Sequence, residues 1–344
     1  AARGRRAQSQ GEFFEEETKG SEYLLALANL LRQRVQEWRD TGYVGATKVT
    51  RELIDLWRSP DRRQPLFFAQ LEAVETVIFL VEGPGHLRVG VDVPMDEPGP
   101  AAKELGFRAF QRYALKMATG SGKTTVMGML SAWSILNKVV NPQAPEYSDT
   151  VLILCPNITI RDRLQELKPE RDELSLYRTR ELVPVHRMNE LRRGEVFVTN
   201  WHNLELRQLG DVNGQGAKVV KRGAPVQTTR SIKVTATLSA EEIQRQATLG
   251  AFQIIGVEKK RDGSPKAVTV TETKYLESDA AFLKRVLGGR KGRSSSILVL
   301  NDEAHHAYRR GVTDEVDQYA LDDETAAANA REATIWIEGL DRIN

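Results

Sequence analysis

The stretch KMATGSGKTT at residues 116–125 constrains the fold of this chain more than any other part of its sequence. It lies between an apolar run at 113–118 and a helical pattern at 123–138. Two glycines that flank a serine allow a tight turn in which several backbone amides point at one anion, and the first turn of a helix adds further donors. The pattern therefore predicts a phosphate-binding loop between a buried strand and a helix.

The side chains of this glycine loop (residues 118–125) have separate predicted roles. Lys123 is placed to reach the β and γ phosphates of a nucleotide, and the Thr124 hydroxyl is placed to ligate Mg²⁺. Met117 stands where the general pattern has its first glycine. We expect ATP and Mg²⁺ to bind here, with further contacts from Thr119, Gly120, Ser121, Gly122 and Thr125.

A second motif, ILVLNDEAHH at 297–306, places Asp302 and Glu303 directly after an apolar strand. In a parallel sheet the carboxyl ends of the strands open onto the ligand crevice. Asp302 is therefore predicted to hold Mg²⁺, mostly through water, and Glu303 to orient or deprotonate the attacking water. Together with the glycine loop, this acid pair indicates nucleotide hydrolysis.

The pattern of apolar residues divides the chain into three parts. Residues 1–20 are polar and are predicted to form a disordered tail. Residues 21–64 form a predicted helical region, because apolar side chains recur at helical spacing from Leu24 to Trp38 and a second helix is indicated at 48–57. Residues 65–344 are predicted to form an α/β lobe, which begins with a helix after Pro65.

Predicted strands and helices alternate within this lobe. The strands are expected at 113–118, 150–155, 195–200 and 296–301, with a short helix after the second of them. Such alternation predicts a mostly parallel sheet covered by helices on both faces. The pattern is broken at about 205–290, where we predict an insertion with a hairpin turn near Asp262–Gly263 and a helix at 277–288.

Composition excludes several classes of protein. No apolar run is long enough for a membrane span, and a single cysteine, Cys155, fits a reducing compartment, so we expect a cytoplasmic protein with no membrane partner. Net charge is only +2, but basic residues cluster at 284–293 and within the insertion. Such clusters are equally typical of a surface that binds a polyanion and of a solvated loop. The basic residues of the insertion are Lys218, Lys221, Arg222, Arg230 and Lys233.

The two motifs together resemble those of superfamily 2 DEAD/DEAH-box helicases and translocases. The resemblance to the motor (Res) subunit of type III restriction enzymes is carried by five stretches between residues 65 and 344: PLFFAQLEAVETVIFLVE, RYALKMATGSGKT, PNITIRDRLQEL, VFVTNWHNLE and ILVLNDEAHHAY. It implies that the lobe is RecA-like, with the P-loop NTPase fold.

The resemblance also implies roles for residues outside the two motifs. Gln70 matches the glutamine that reads the adenine edge, with Phe67 or Phe68 available to stack on the base. His305 matches the residue that couples the nucleotide site to the nucleic-acid site. Predicted contacts with a nucleic-acid backbone or base come from Asn157, Thr159, Arg161, Arg163 and Trp201. We expect the helix that carries the two arginines to lie away from the glycine loop.

A motor of this superfamily needs a second RecA-like lobe that supplies arginine fingers to the nucleotide. The coupling motif Ser/Thr-Ala-Thr is absent from 307–344, and the TAT at 235–237 precedes the acid pair, in the wrong order to serve. We expect the second lobe on a continuation of the chain or on another chain. The other partners implied are DNA, single- or double-stranded, and a methyltransferase or nuclease.

Three functions compete at this point. The first is the ATP-binding lobe of a DNA-dependent ATPase, a helicase or translocase, in a prokaryotic restriction or phage-defence system. The second is a nucleotide-binding scaffold or regulator without turnover. The third is a small-molecule phosphotransferase, which the DEAH sequence and the upstream Gln70 disfavour. The intact Lys123, Thr124, Asp302 and Glu303 favour the first.

Overall fold

A computed structural model describes residues 26–207, 224–235, 238–248, 252–260, 263–288, 296–304, 307 and 324–344. The tail predicted at 1–20, the basic residues Lys218, Lys221 and Arg222, and the predicted coupling residue His305 lie outside the described residues. The chain divides into two compact units, residues 1–201 with 291–344, and residues 202–290.

The first unit contains three strands and most of the helices of the described chain. Its strands are β1 (Thr150–Cys155), β2 (Glu195–Asn200) and β6 (Leu298–Asn301). Its helices are α1 (Ala26–Asp40), α2 (Lys48–Arg58), α3 (Phe68–Glu82), α4 (Pro100–Glu104), α5 (Lys123–Val140), α6 (Ile158–Arg163), α7 (Leu176–Thr179), α8 (Met188–Leu191) and α11 (Glu324–Ile343).

Helices α1 and α2 form where apolar spacing predicts them. Trp38 of α1 is completely buried and its indole N–H donates to the Val44 carbonyl at 2.9 Å. Helix α2 begins at an N-cap, Thr47, whose hydroxyl accepts from the backbone N–H of Thr50 at 3.0 Å. A Ser, Thr, Asp or Asn in this position satisfies a donor that the helix itself leaves free.

A polar network joins α2 and α3 to α5, the helix that follows the glycine loop. The Glu82 carboxylate accepts from the Thr50 hydroxyl at 2.7 Å and from the Trp133 indole N–H at 2.6 Å. The Asn137 amide donates to the Thr50 hydroxyl at 2.9 Å. Because these groups are largely buried, breaking any one bond leaves an unsatisfied polar group, so the network fixes α5 on the N-terminal helices.

Strand β1 is the middle strand of a parallel three-stranded sheet with the order β2-β1-β6. All six of its residues are buried, as expected for a strand covered on both faces. Leu154 lies opposite Thr199 on one side and Asn301 on the other, so the three strands end at a common edge. The predicted mixed α/β fold with a parallel sheet is confirmed.

The strand predicted at 113–118 is wrong, because these residues form no strand. Tyr113 and Met117 pack partly against the core, whereas Leu115 is 36% exposed and Lys116 is exposed as well. In a buried strand Leu115 would lie on the same face as Tyr113 and Met117 and would contact the core with them. Within the described residues, β6 is therefore an edge strand of this sheet.

The second unit is built around an antiparallel sheet with the order β3-β5-β4. Strands β4 and β5 form the predicted hairpin, in which Lys259 lies opposite Pro265. The core contains Ile232, Ile243, Phe252, Val268 and Val270. Elements of this unit are β3 (Ala224–Lys233), α9 (Ala240–Thr248), β4 (Gln253–Lys259), β5 (Pro265–Leu276) and α10 (Asp279–Val286), the last within the helix predicted at 277–288.

The two ends of the second unit are tied to each other. The Arg285 guanidinium donates to the carbonyls of Asn203 and Glu205, at 2.5 and 3.1 Å, and pairs with the Glu277 carboxylate. The backbones of Arg207 and Glu277 are also joined, since the Glu277 N–H donates to the Arg207 carbonyl at 3.0 Å. This clasp closes the unit at its entrance and exit.

Candidate nucleotide site

The acid turn, Asp302 and Glu303, lies where β6 leaves the sheet. The Asp302 N–H donates to the Leu154 carbonyl at 2.8 Å, which continues the bonding between β6 and β1 by one residue. Glu303 then adopts a left-handed backbone conformation, with φ of 55°. This conformation is uncommon for a residue with a side chain and is frequent at functional sites, where the surrounding structure holds it. The turn directs the chain away from the sheet at the edge where β1 and β2 also end.

Lys123 and Glu303 form an ion pair in which Nζ and Oε1 are 3.1 Å apart. The two residues are separated by 180 positions in the sequence. Each side chain is about one third exposed, at 33% and 34%, so both remain accessible from solvent. The glycine loop and the acid turn, which the sequence predicts as parts of one site, therefore meet in space.

The glycine loop contains two residues in the left-handed region, Gly120 with φ of 80° and Gly122 with φ of 86°. A Cβ atom on Gly122 would lie 2.0 Å from the side-chain amide nitrogen of Gln70. A residue with a Cβ at this position would therefore have to displace the Gln70 amide as well as adopt a left-handed backbone conformation. A Cβ on Gly120 would meet nothing within 4 Å, so that position is open on the side where a ligand could approach.

Gln70 is 5% exposed and both ends of its amide bind within the chain. Its Oε1 accepts from the Phe67 N–H at 2.9 Å, and its Nε2 donates to the Ser121 carbonyl at 3.0 Å. The side chain therefore joins the start of α3 to the glycine loop, a contact that the sequence did not indicate. The predicted contact with adenine would require this amide to change partners. Phe67 and Phe68 are 61% and 68% exposed beside it.

Burial raises the pKa of Asp302, and the neighbouring Glu303 carboxylate raises it further, while Lys123 and Arg163 act in the opposite direction. Cys155, at the end of β1, is completely buried, and its burial together with the charge of Asp302 raises the pKa of its thiol to about 11. At this edge of the sheet, burial thus disfavours the ionised forms of Asp302 and Cys155, and a nearby positive charge would stabilise the Asp302 carboxylate.

The donor set at this edge fits a magnesium ion bound with a nucleotide. The carboxylate of Asp302 and the hydroxyl of Thr124 are hard oxygen ligands of the kind that Mg²⁺ prefers, and few of them are needed because the ion keeps water and phosphate ligands. No group of three or more His, Cys, Asp or Glu side chains among the described residues could hold a metal by itself.

Helix α6 carries the predicted nucleic-acid contacts, but two of these side chains already have partners. The Asn157 side chain caps α6 by accepting from the Ile160 N–H at 2.9 Å, and Arg161 pairs with Asp162 at 2.9 Å. Thr159 and Arg163 are exposed. That this helix lies away from the glycine loop stays a prediction, while the charge of Arg163 favours the ionised form of Asp302.

Trp201 is half-buried and begins a 3-10 helix, Trp201–Leu204, directly after β2. It therefore lies near the edge of the sheet at which the acid turn begins.

Two further contacts flank that turn and were not predicted. The indole N–H of Trp336 donates to Asn301 at 3.1 Å, and the Arg112 guanidinium donates to the Ala307 carbonyl. Nothing in the sequence near either pair indicates the contact.

No helix among the described residues combines the length and apolar composition needed to cross a bilayer.

No curated protein and no solved structure matches this chain. A family model described as type III restriction enzyme, res subunit, matches residues 65–325, which is more than half of the chain. The matched range includes α3, the glycine loop, the parallel sheet and the acid turn. The chain therefore belongs to the family of type III restriction enzyme res subunits, and its α/β lobe is a P-loop domain of helicase superfamily 2.

Proposed function

We propose that the lobe binds ATP with Mg²⁺ and hydrolyses it as the first half of a motor that moves on DNA in a prokaryotic restriction or phage-defence system. The observation that carries the proposal is the Lys123–Glu303 ion pair at 3.1 Å. It brings together a lysine that follows the glycine loop and a glutamate that lies two residues after a parallel strand, and phosphoryl transfer to water uses a phosphate-binding cation and a water-positioning carboxylate.

Binding of the phosphates would change the partner of Lys123. The ammonium group turns from Glu303 to the β and γ phosphates, joined by the backbone donors of residues 119–124 and the first turn of α5. Thr124 and Asp302 supply oxygen ligands to Mg²⁺, and the ion, when bound, neutralises charge on the phosphates. The released Glu303 carboxylate can then orient a water molecule and accept its proton.

The DNA track would run along the exposed side of α6. Arg161 exchanges its pairing with Asp162 for a phosphate, and Thr159 and Arg163 contribute a hydroxyl and a second charge. Such contacts recognise the backbone and not the sequence. Arg163 would contribute to both DNA binding and the nucleotide site, because its charge also favours the ionised form of Asp302.

Efficient turnover would need a second lobe. The described residues contain one parallel sheet with one glycine loop, and a partner lobe would complete the site with arginine side chains. We propose that this lobe is supplied in cis or in trans, alongside a methyltransferase or nuclease partner. Without it, ATP is expected to bind weakly and to be hydrolysed slowly.

Calorimetric titration with ATP and Mg²⁺ tests the proposal. Lys123→Ala is expected to abolish binding, because it removes the charge that offsets the phosphates. Lys138→Ala is the matched control, since Lys138 lies near the other end of α5 and donates to the Ala144 carbonyl at 2.7 Å. Equal affinity of wild type and Lys123→Ala would refute the assignment of the glycine loop. Normal binding with no hydrolysis, even with a second lobe and DNA, would favour the scaffold instead.

A further inference from the structure

Trp336 of α11 reaches the residue that precedes the acid turn. Its side chain is completely buried, and its indole N–H donates to the Asn301 side-chain oxygen at 3.1 Å. Asn301 is the last residue of β6, and Asp302 follows it directly. A fully buried tryptophan has little rotational freedom, so the position of its N–H is set by the packing around the ring.

The other side of the acid turn is held by a second contact. The Arg112 guanidinium donates to the Ala307 carbonyl and also pairs with the Asp96 carboxylate at 2.8 Å. Residues near Arg112 hold the end of α11 as well. The Arg342 guanidinium lies 5.5 Å from the centre of the Phe107 ring, and the Asn344 side chain donates to the Arg108 carbonyl at 3.1 Å.

Strand β6 gives the acid turn little support of its own. It has four residues, it bonds to β1 on one side, and it is the edge strand within the described part of the sheet. Glu303, two residues after the end of β6, has a left-handed backbone conformation. Such a conformation persists only where the surrounding structure imposes it. Contacts at Asn301 and Ala307 are therefore well placed to decide where the two carboxylates point.

We propose that Trp336 is a positioning residue for the magnesium-binding and water-activating carboxylates, and that it acts through the side chain of Asn301. This inference rests on the proposed function. Residues that orient metal ligands through hydrogen bonds typically change metal affinity when they are altered, even though they do not touch the ion. Trp336 would act one residue further from the ion, through Asn301, from a helix that follows the acid turn in sequence.

The test measures how strongly Mg²⁺ enhances ATP binding to the 344-residue chain, by titrating Mg²⁺ against a fluorescent ATP analogue. Trp336→Phe keeps an aromatic ring but removes the donor, and Asn301→Leu keeps the branched shape of the side chain but removes the acceptor. Both variants are expected to need about tenfold more Mg²⁺ for half of the enhancement, with unchanged affinity in its absence. Because each breaks the same bond, the double variant is expected to shift no further than either single one.

Trp57→Phe is the matched control. It also removes an indole N–H, which donates to the Leu182 carbonyl at 2.8 Å, from a side chain that is 2% exposed and belongs to the N-terminal helices. It is expected to lower thermal stability without changing the Mg²⁺ requirement. A purely structural role for Trp336 would produce the same pattern as this control.

The outcomes separate the inference from the proposed function. If Mg²⁺ enhances ATP binding to the wild type and both bond-breaking variants titrate like it, the positioning role is refuted. If Trp336→Phe fails to fold, as circular dichroism would show, Asn301→Leu decides, since its side chain is only partly buried. If the wild type binds no ATP with or without Mg²⁺, the proposed function fails, and the inference fails with it.

Discussion

The ammonium group of Lys123 contacts the carboxylate of Glu303, so the residue predicted to bind phosphate restrains the residue predicted to activate water. With the lysine in place, the Glu303 carboxylate is held by a positive charge and is not free to contact a water molecule. Arrival of a phosphate would free it. The ion pair therefore links occupancy of the site to readiness for hydrolysis.

Replacing Glu303 with Gln tests this link. The amide keeps the size of the side chain but cannot hold Lys123 by charge or accept a proton. We expect ATP binding by calorimetry to be at least as tight as in wild type. Hydrolysis measured with a second lobe present is expected to fall by about 10²–10⁴-fold. Weaker binding in this variant would contradict the restraint.

Gly122→Ala is expected to damage the glycine loop in two ways. The left-handed backbone costs about 1–2 kcal/mol for a residue with a Cβ, and the methyl group would collide with the Gln70 amide. Gly120→Ala is the matched control, because it has a similar φ but open space around its Cβ. Urea denaturation should show the larger decrease in unfolding free energy for Gly122→Ala. Equal decreases would show that Gln70 does not press on the loop.

Asp302→Asn is expected to stabilise the nucleotide-free protein. Burial raises the pKa of Asp302 in the folded state above its unfolded value, so the folded protein binds this proton more tightly. The unfolding free energy therefore falls as pH rises through the interval between the two values. At neutral pH the amide removes this cost, and Tm is expected to rise by about 2–4 °C.

The gain should shrink as the pH is lowered and wild-type Asp302 takes up its proton. Asp162→Asn, at a carboxylate that is 64% exposed, is expected to leave Tm nearly unchanged at any pH. The same Asp302→Asn variant is expected to lose the enhancement of ATP binding by Mg²⁺. A lower Tm for Asp302→Asn at neutral pH would contradict the raised pKa.

Arg161 and Arg163 are predicted to contact DNA phosphates. Replacing both with Ala is expected to weaken DNA binding at low salt and to reduce the salt slope by about 0.7–0.9 for each phosphate that is no longer neutralised. Fluorescence anisotropy with single-stranded and duplex DNA measures this, with the exposed Arg193→Ala as a control. An unchanged slope would exclude α6 from the track. Arg163→Ala alone is also expected to weaken Mg²⁺-dependent ATP binding, whereas Arg161→Ala is not.

Local patterns in the sequence predicted the helices and strands whose conformation depends on residues close by in the sequence. The apolar run of β1 and the amphipathic pattern of α2 depend on neighbours within a few positions, and both elements form as expected. The run at 113–118 misled because its apolar residues suit a buried strand, but only Tyr113 and Met117 contact the core.

The contacts that define the site could not be predicted in the same way. Gln70 meets the Ser121 carbonyl across 51 positions, and Trp336 meets Asn301 across 35. Neither pair carries a local signature, because glutamine and tryptophan side chains have many other uses on helices. Only the Lys123–Glu303 meeting was anticipated, since the carboxyl ends of parallel strands share one edge.

The clasp formed by Arg285 and Glu277 gives the second unit a single anchored base. Residues near its two ends are bonded to each other, and the entropic cost of closing the stretch between them rises only slowly with its length. We therefore expect moderate changes in the length of the loops between Arg207 and Glu277 to leave the clasp itself in place.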